Sequence, residues 1–269
     1  MRKFLAFITV AAIFLINTLS VNAEGLVIKN VFDTSYISSG VVKVSYSSDI
    51  KKLKVLIEKN DKRYSYNLKN DGTVESFPLQ MGNGAYKVSV LENVDGNKYK
   101  YVSTETINLD IEDQKSVYLT STQNISWDYN MAVIKKAREL TKGLSTDSQK
   151  IKTIYNYIIN NHEYDFDKLS KLSNDYLPNI DLFLKSGKGI CYDYASTLAG
   201  MLRSINIPTK LVKGYSINVN GYHAWNEVYN KSSDKWILID TTYDSQMRAA
   251  KAKYTMVKNN SEYTKVNEY

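Results

Sequence analysis

The stretch Lys188-Gly189-Ile190-Cys191-Tyr192-Asp193-Tyr194 decides how the rest of the chain is read. It holds the only cysteine among 269 residues. Glycine marks a turn, and the residues after it take helical spacing, so the cysteine falls in the first turn of a helix. Unpaired N–H groups at a helix start favour negative charge, which stabilises a thiolate there relative to a thiol. A lone cysteine reads equally well as an inert, buried small hydrophobe. The choice turns on whether the chain supplies a base for the thiol and an acceptor to orient that base.

The helix predicted from Cys191 runs to about Ser204, with Tyr194, Ala195, Leu198, Leu202 and Ile205 as its apolar stripe. Cys191 lies on the same side, four residues before Ala195, and Ile207-Pro208 ends the helix. Upstream, the spacing of Met131, Ile134 and Leu140 predicts a helix over 128–142, closed by Gly143. Asp147 reads as the N-cap of another helix, carried by Ile151, Ile154, Tyr155, Ile158 and Ile159 to about Asn161. A short helix near 180–185 precedes the quoted stretch. Strands follow it at 209–212, 214–219, 222–229 and 236–240. Helices first and an antiparallel sheet afterwards make an α+β pattern.

Residues 24–113 have a different character. Runs such as Val41-Val42-Lys43-Val44 and Ala85-Tyr86-Lys87-Val88-Ser89-Val90 alternate, and Asn70-Asp71-Gly72 and Gly82-Asn83-Gly84 are turn signals. This predicts a small all-β sandwich domain with no clustered catalytic residue types. The expected organisation is an export signal over 1–23, the sandwich over 24–113, a catalytic α+β domain over 126–246, and a polar extension over 247–269. The extension is expected to form a short helix or strand and a loose end.

The chain has two histidines. His162 ends a helix, a position that suits the helix dipole. His223 lies in Gly221-Tyr222-His223-Ala224-Trp225-Asn226-Glu227-Val228-Tyr229, where alternation puts His223, Trp225, Glu227 and Tyr229 on one face. A hairpin loop at 230–233 sets Tyr229 opposite Asp234 and His223 opposite Asp240, within reach of the imidazole N–H. A loop changed by two residues keeps Asp240 on that face but out of line. Unrelated roles for the two residues stay open on spacing alone.

Taken together, Gly189-Ile-Cys-Tyr-Asp-Tyr-Ala195, Met201-Leu-Arg-Ser-Ile-Asn-Ile-Pro208, Gly214-Tyr215, His223-Ala-Trp-Asn-Glu-Val-Tyr229, Trp236 and Asp240-Thr241-Thr242 resemble the transglutaminase-like superfamily of papain-like cysteine enzymes, in its bacterial secreted form. The resemblance covers about residues 145–245. It implies a papain-like transglutaminase core, with helices on an antiparallel sheet, and a Cys-His-Asp triad of Cys191, His223 and Asp240. Two positions depart from the pattern. Thr241 stands where many relatives have proline, and no glutamine lies in 179–190 to supply an oxyanion donor. The Cys191 backbone N–H supplies one donor, and Tyr164 is the candidate for the second.

The start of the chain sets the compartment. Arg2 and Lys3, an apolar run over 4–16 broken by Thr9, and Val21-Asn22-Ala23 fit a cleaved export signal, too short for a membrane span. Its removal leaves 33 basic residues against 28 acidic, so the net charge goes from +7 to +5. No basic helix with interleaved aromatics points to nucleic acid. No metal-ligand spacing and no glycine-rich phosphate loop occur, so no cofactor is expected. The expected protein is secreted or at the cell surface, without stable membrane insertion after signal removal. It is expected to act on an amide of an extracellular protein or cell-wall peptide, by acyl transfer or by hydrolysis. A non-catalytic surface or scaffold module with an unused triad is the alternative.

Overall fold

Apolar alternation builds the first half of the fold. In a computed structural model, which describes residues 30–173 and 175–269, seven strands come first: β1 (Phe32–Asp33), β2 (Val41–Val44), β3 (Leu53–Lys59), β4 (Lys62–Leu68), β5 (Glu75–Pro78), β6 (Gly84–Asp95) and β7 (Lys98–Leu109). The segment read as an export signal lies outside the described residues. Leu53, Val55 and Ile57 are buried at alternate positions of β3, as are Tyr86, Val88 and Val90 in β6. The strands form two antiparallel sheets, ordered β1-β2-β5 and β4-β3-β6-β7. Val42, Val44 and Phe77 from the first sheet share a core with Val55, Val88 and Ile107 from the second. Each fully buried aliphatic side chain there contributes about 1.5–3 kcal/mol.

The second half holds the helices and a further sheet. In order these are α1 (Ala132–Thr141), α2 (Asp147–Asn161), β8 (Glu163–Tyr164), α3 (Phe166–Ser170), α4 (Ile180–Ser186), β9 (Lys188–Gly189), α5 (Cys191–Arg203), β10 (Thr209–Ser216), β11 (Val219–Asn230), β12 (Lys235–Ile239), α6 (Thr241–Ala249) and β13 (Tyr263–Glu268). The sheet is antiparallel, ordered β12-β11-β10-β13. The two halves meet directly. Tyr118 stands edge-on to Trp236 at 5.5 Å and donates to Glu268 at 2.6 Å. Residues 31–269 make one compact unit.

Helix boundaries differ from the sequence reading where a tertiary or a neighbouring polar group decides the cap. α1 starts at Ala132 instead of 128, because the Asp181 carboxylate of α4 accepts from the N–H groups of Ala132 (3.1 Å) and Val133 (2.8 Å). Asp128 instead closes a local turn on the Asn130 N–H. The N-cap of α2 is Thr146 and not Asp147, in a capping box with Gln149. The predicted stripe from Ile151 to Ile159 is buried.

α5 is buried from Tyr192 to Arg203 rather than along one stripe. It lies between the sheet, through Val228 and Ile239, and α1, α2 and α4. At its end the buried Arg203 guanidinium donates to the carbonyls of Thr209, Thr120 and Tyr269 at 2.7–2.9 Å.

Two further expectations are corrected. β10 is one bulged strand, turning at 217–218, where the sequence suggests a break at Lys213. The end of the chain is not loose: β13 completes the sheet beside β10, and Tyr269 exchanges both backbone hydrogen bonds with Leu211. Gly214 makes this close approach possible. A Cβ there would sit 2.1 Å from the Thr264 carbonyl oxygen.

Candidate active site

Cys191 is the first residue of α5, half-buried, after an extended Ile190. The turn that delivers it is built from close contacts. β9 runs parallel to β8, pairing Gly189 with Tyr164. A Cβ on Gly189 would sit 2.5 Å from the Phe183 ring and 2.8 Å from the Asp193 Cβ. Asp193 caps the helix start by accepting from the Ile190 N–H at 2.9 Å. Its carboxylate, 1% exposed, also holds Lys168 at 2.7 Å and the Tyr176 hydroxyl. Both segments that flank the thiol are thereby tied to the residue two positions after it.

His223 sits in β11, 3% exposed, and its Nε2 lies 2.8 Å from Oδ2 of Asp240, itself fully buried. The Cys191 side chain is near enough to the same imidazole to favour its protonated form. With Nε2 engaged by the carboxylate, Nδ1 is the nitrogen left for the thiol. Burial opposes charge on the ring, but the Asp240 charge and hydrogen bond, helped by Cys191, outweigh it and push His223 up to about 10.

The pair forms in a register different from the one expected. β12 pairs with Tyr229 opposite Trp236 and Asn226 opposite Ile239. The hairpin loop spans 231–234 instead of 230–233, a displacement of one residue that shifts the register by two, so Asp240 is out of line with His223. Asp240 also lies just past the strand, as the N-cap of α6. Leaving the strand lets its carboxylate reach the ring diagonally. Oδ1 accepts from the Tyr243 N–H at 2.9 Å, and Oδ2 accepts from the Tyr263 hydroxyl at 3.0 Å. Thr241 opens α6 without the proline of the family pattern.

Tyr164, half-buried in β8, packs against the same apolar cluster as Cys191. Burial first, and then the charges of Cys191 and Asp193, push its hydroxyl up to about 12, so it remains a proton donor at neutral pH. His162 is held elsewhere. Its ring stacks on Phe183 at 4.2 Å, Nδ1 donates to the Ile158 carbonyl at 3.0 Å, and burial keeps it below the usual histidine range. Glu227 pairs with Lys265 at 2.7 Å.

Two residues of the site escape sequence reasoning. Tyr263 is one of 22 tyrosines and lies in the segment read as a loose end. Lys213 places its ammonium 3.5 Å from the centroid of the Tyr192 ring, beside Cys191. Nothing in the sequence separates it from the other strand lysines.

Residues 134–241 match the family model described as the transglutaminase-like superfamily. Those residues are a transglutaminase-like core. The match brackets Cys191, His223 and Asp240. The chain is also similar to the UPF0252 protein MJ1282 of Methanocaldococcus jannaschii, 29% identical over 119 residues. That alignment takes in 40% of this chain and 33% of the relative, so the chain spans about a third of that protein's length. Among solved structures, LapG of Legionella pneumophila is 16% identical, with a TM-score of 0.33, over 52% of this chain and 84% of that one. The periplasmic domain of TgpA from Pseudomonas aeruginosa is 18% identical, with a TM-score of 0.38, over 76% and 71%. At these values the two likenesses carry no weight for activity or substrate. Among the described residues no helix is long and apolar enough to cross a membrane.

Proposed function

We propose that this chain is an exported cysteine enzyme that works on amide bonds through a thioester, with Cys191 as nucleophile, His223 as acid and base, and Asp240 as the group that orients and charges His223. The observation that carries the proposal is the buried His223–Asp240 hydrogen bond at 2.8 Å, with the Cys191 side chain beside the same ring. Sγ adds to the amide carbonyl carbon, and the carbonyl oxygen becomes an oxyanion. The α5 N-terminal N–H of Cys191 and the Tyr164 hydroxyl are the proposed donors to it. The imidazolium then gives its proton to the leaving nitrogen, the C–N bond breaks, and a thioester remains. Water or a primary amine attacks the thioester, His223 takes the attacker's proton, and the thiolate is released.

Tyr263 is proposed as a positioning residue. Its hydroxyl fixes the carboxylate that fixes the imidazole. The export signal read over 1–23 supports a place outside the cytoplasm, and hence an extracellular protein or cell-wall peptide as substrate. These assignments are tested by incubating the mature protein and Cys191→Ala with glutamine-containing peptides, with and without a primary amine, and weighing the products. Incorporated amine identifies a transferase; exchange of the amide –NH2 for –OH with release of ammonia, or a cleaved backbone, identifies a hydrolase. Identical products from Cys191→Ala, or no product with any amide, would leave the unused-triad module as the better reading.

A further inference from the structure

The cations around the sheet are not alike. From residue 131 to 269 the partly buried lysines are Lys136, Lys150, Lys168, Lys210, Lys213 and Lys258. Five of them hold a carboxylate: Lys136 with Glu139, Lys150 with Asp147, Lys168 with Asp193, Lys210 with Glu227 and Glu268, and Lys258 with Asp244. Among the described residues Lys213 has no acidic partner, and its recorded ring contacts are with Tyr192 at 3.5 Å and Tyr269 at 5.3 Å. Tyrosine faces attract a cation but do not neutralise it, and a desolvated ammonium without a counter-ion is costly.

Its position relates it to the thiol. Lys213 pairs in register with Ala224, the neighbour of His223, and its ammonium covers the ring of the residue after Cys191. Leu211 and Ala224 share one apolar cluster with Tyr192, Tyr269 and Cys191. Resting on the acyl-transfer reading above, we infer that Lys213 is a specificity-determining residue whose ammonium binds a carboxylate carried by the substrate next to the scissile amide. The preferred substrate is thus an acidic peptide amide.

Charge balance favours the same conclusion. With His223 protonated, Asp240 offsets the imidazolium, and the thiolate offsets Lys213. Once the thiol is acylated, that second anion is gone, and a substrate carboxylate restores it. Burial draws the Lys213 ammonium down to about 8 against the opposing pull of Cys191. The amine is therefore mostly charged at neutral pH, yet poorly solvated, the state in which a carboxylate gains most from pairing with it.

The test needs no natural substrate, because Cys191 is the only thiol. Iodoacetate and iodoacetamide alkylate it by the same displacement, in which the S–C bond forms and iodide leaves; they differ in a carboxylate against a carboxamide. The ratio of the two rates cancels changes in the nucleophilicity of the thiol itself. Lys213→Met keeps the aliphatic stem and removes the charge, and Lys213→Arg keeps the charge. The iodoacetate-to-iodoacetamide ratio is expected to fall about tenfold in Lys213→Met and to persist in Lys213→Arg, the size of one charge-assisted hydrogen bond. A ratio unchanged in a folded Lys213→Met would overturn the inference, since a merely structural lysine would leave it there.

Protection against iodoacetamide distinguishes the source of the carboxylate. Peptides with a terminal α-carboxylate beside the amide, or with a glutamate side chain there, are each compared with their carboxamide counterparts. Better protection by either acidic peptide supports the inference and names the source; equal protection by all four overturns it. If alkylation is no faster than that of free cysteine, the catalytic reading fails, while the ratio still decides the role of Lys213.

Discussion

Asp240→Asn removes the charge on which the state of His223 depends while keeping the size of the side chain. In the wild type, burial alone would hold His223 below its ordinary value, and the Asp240 charge and hydrogen bond reverse this and raise it to about 10. At about 1.4 kcal/mol per pH unit, the rise from 6.5 amounts to a few kcal/mol of coupling. The sign follows from linkage. A group raised on folding gives stability that is fully present below pH 6.5 and is lost as pH rises through about 10. With Asn at 240 the burial cost stands unopposed, apart from the smaller help of Cys191. His223 then titrates near or below 6.5, and that pH-dependent stability disappears. Long-range proton–nitrogen correlation spectra read this directly, because the chain has two histidines and His162 serves as a buried internal reference. The wild-type His223 ring is expected to be doubly protonated at pH 7 and to titrate near 10; in Asp240→Asn it is expected to be neutral at pH 7. A variant ring still charged at pH 7 would refute the assignment of the charge to Asp240, and a neutral wild-type ring would refute the charged pair itself.

Three other substitutions probe the surroundings. Tyr263→Phe deletes one donor to Asp240 and is expected to cost about 1–2 kcal/mol of stability in denaturant melts and to lower kcat more than KM changes; unaltered kcat would remove Tyr263 from the positioning network. Tyr164→Phe is expected to lower kcat about 100-fold with KM nearly constant, in line with loss of one oxyanion donor, and a full-rate variant would exclude the hydroxyl. Gly189→Ala forces a methyl group against Phe183 and Asp193. It is expected to destabilise by about 1–3 kcal/mol and to slow alkylation of Cys191, and an unchanged melt would show that the turn has room the structure does not offer.

The sequence was most legible where chemistry and periodicity coincide. The stripe from Ile151 to Ile159 is a local helical pattern and lies buried as such. The alternation around Val55 and Val88 gives sandwich strands for the same reason. The nearness of His223 to Asp240 was legible in residue type and not in register. The loop sits one residue further along the chain, which shifts the register by two, and the carboxylate reaches the ring because Asp240 has left the strand to cap α6. What stayed hidden depends on contacts distant in sequence. Asp181 sets the start of α1 from 48–49 residues away. Tyr263 meets Asp240 because the last strand crosses at Gly214, where local polarity suggests a loose end. Lys213 stands out among the lysines only when the partners of the others are known.

The rate at which iodoacetamide alkylates Cys191 at pH 5.5 bears most directly on whether this thiol is a nucleophile. Free cysteine is almost wholly protonated there and reacts slowly, whereas a cysteine served by a neighbouring base is activated as a nucleophile. The wild type is expected to react faster than free cysteine and to lose that advantage in His223→Ala. A wild-type rate no greater than that of free cysteine, or an equal rate in His223→Ala, would contradict the assignment of Cys191 and His223 as a catalytic pair.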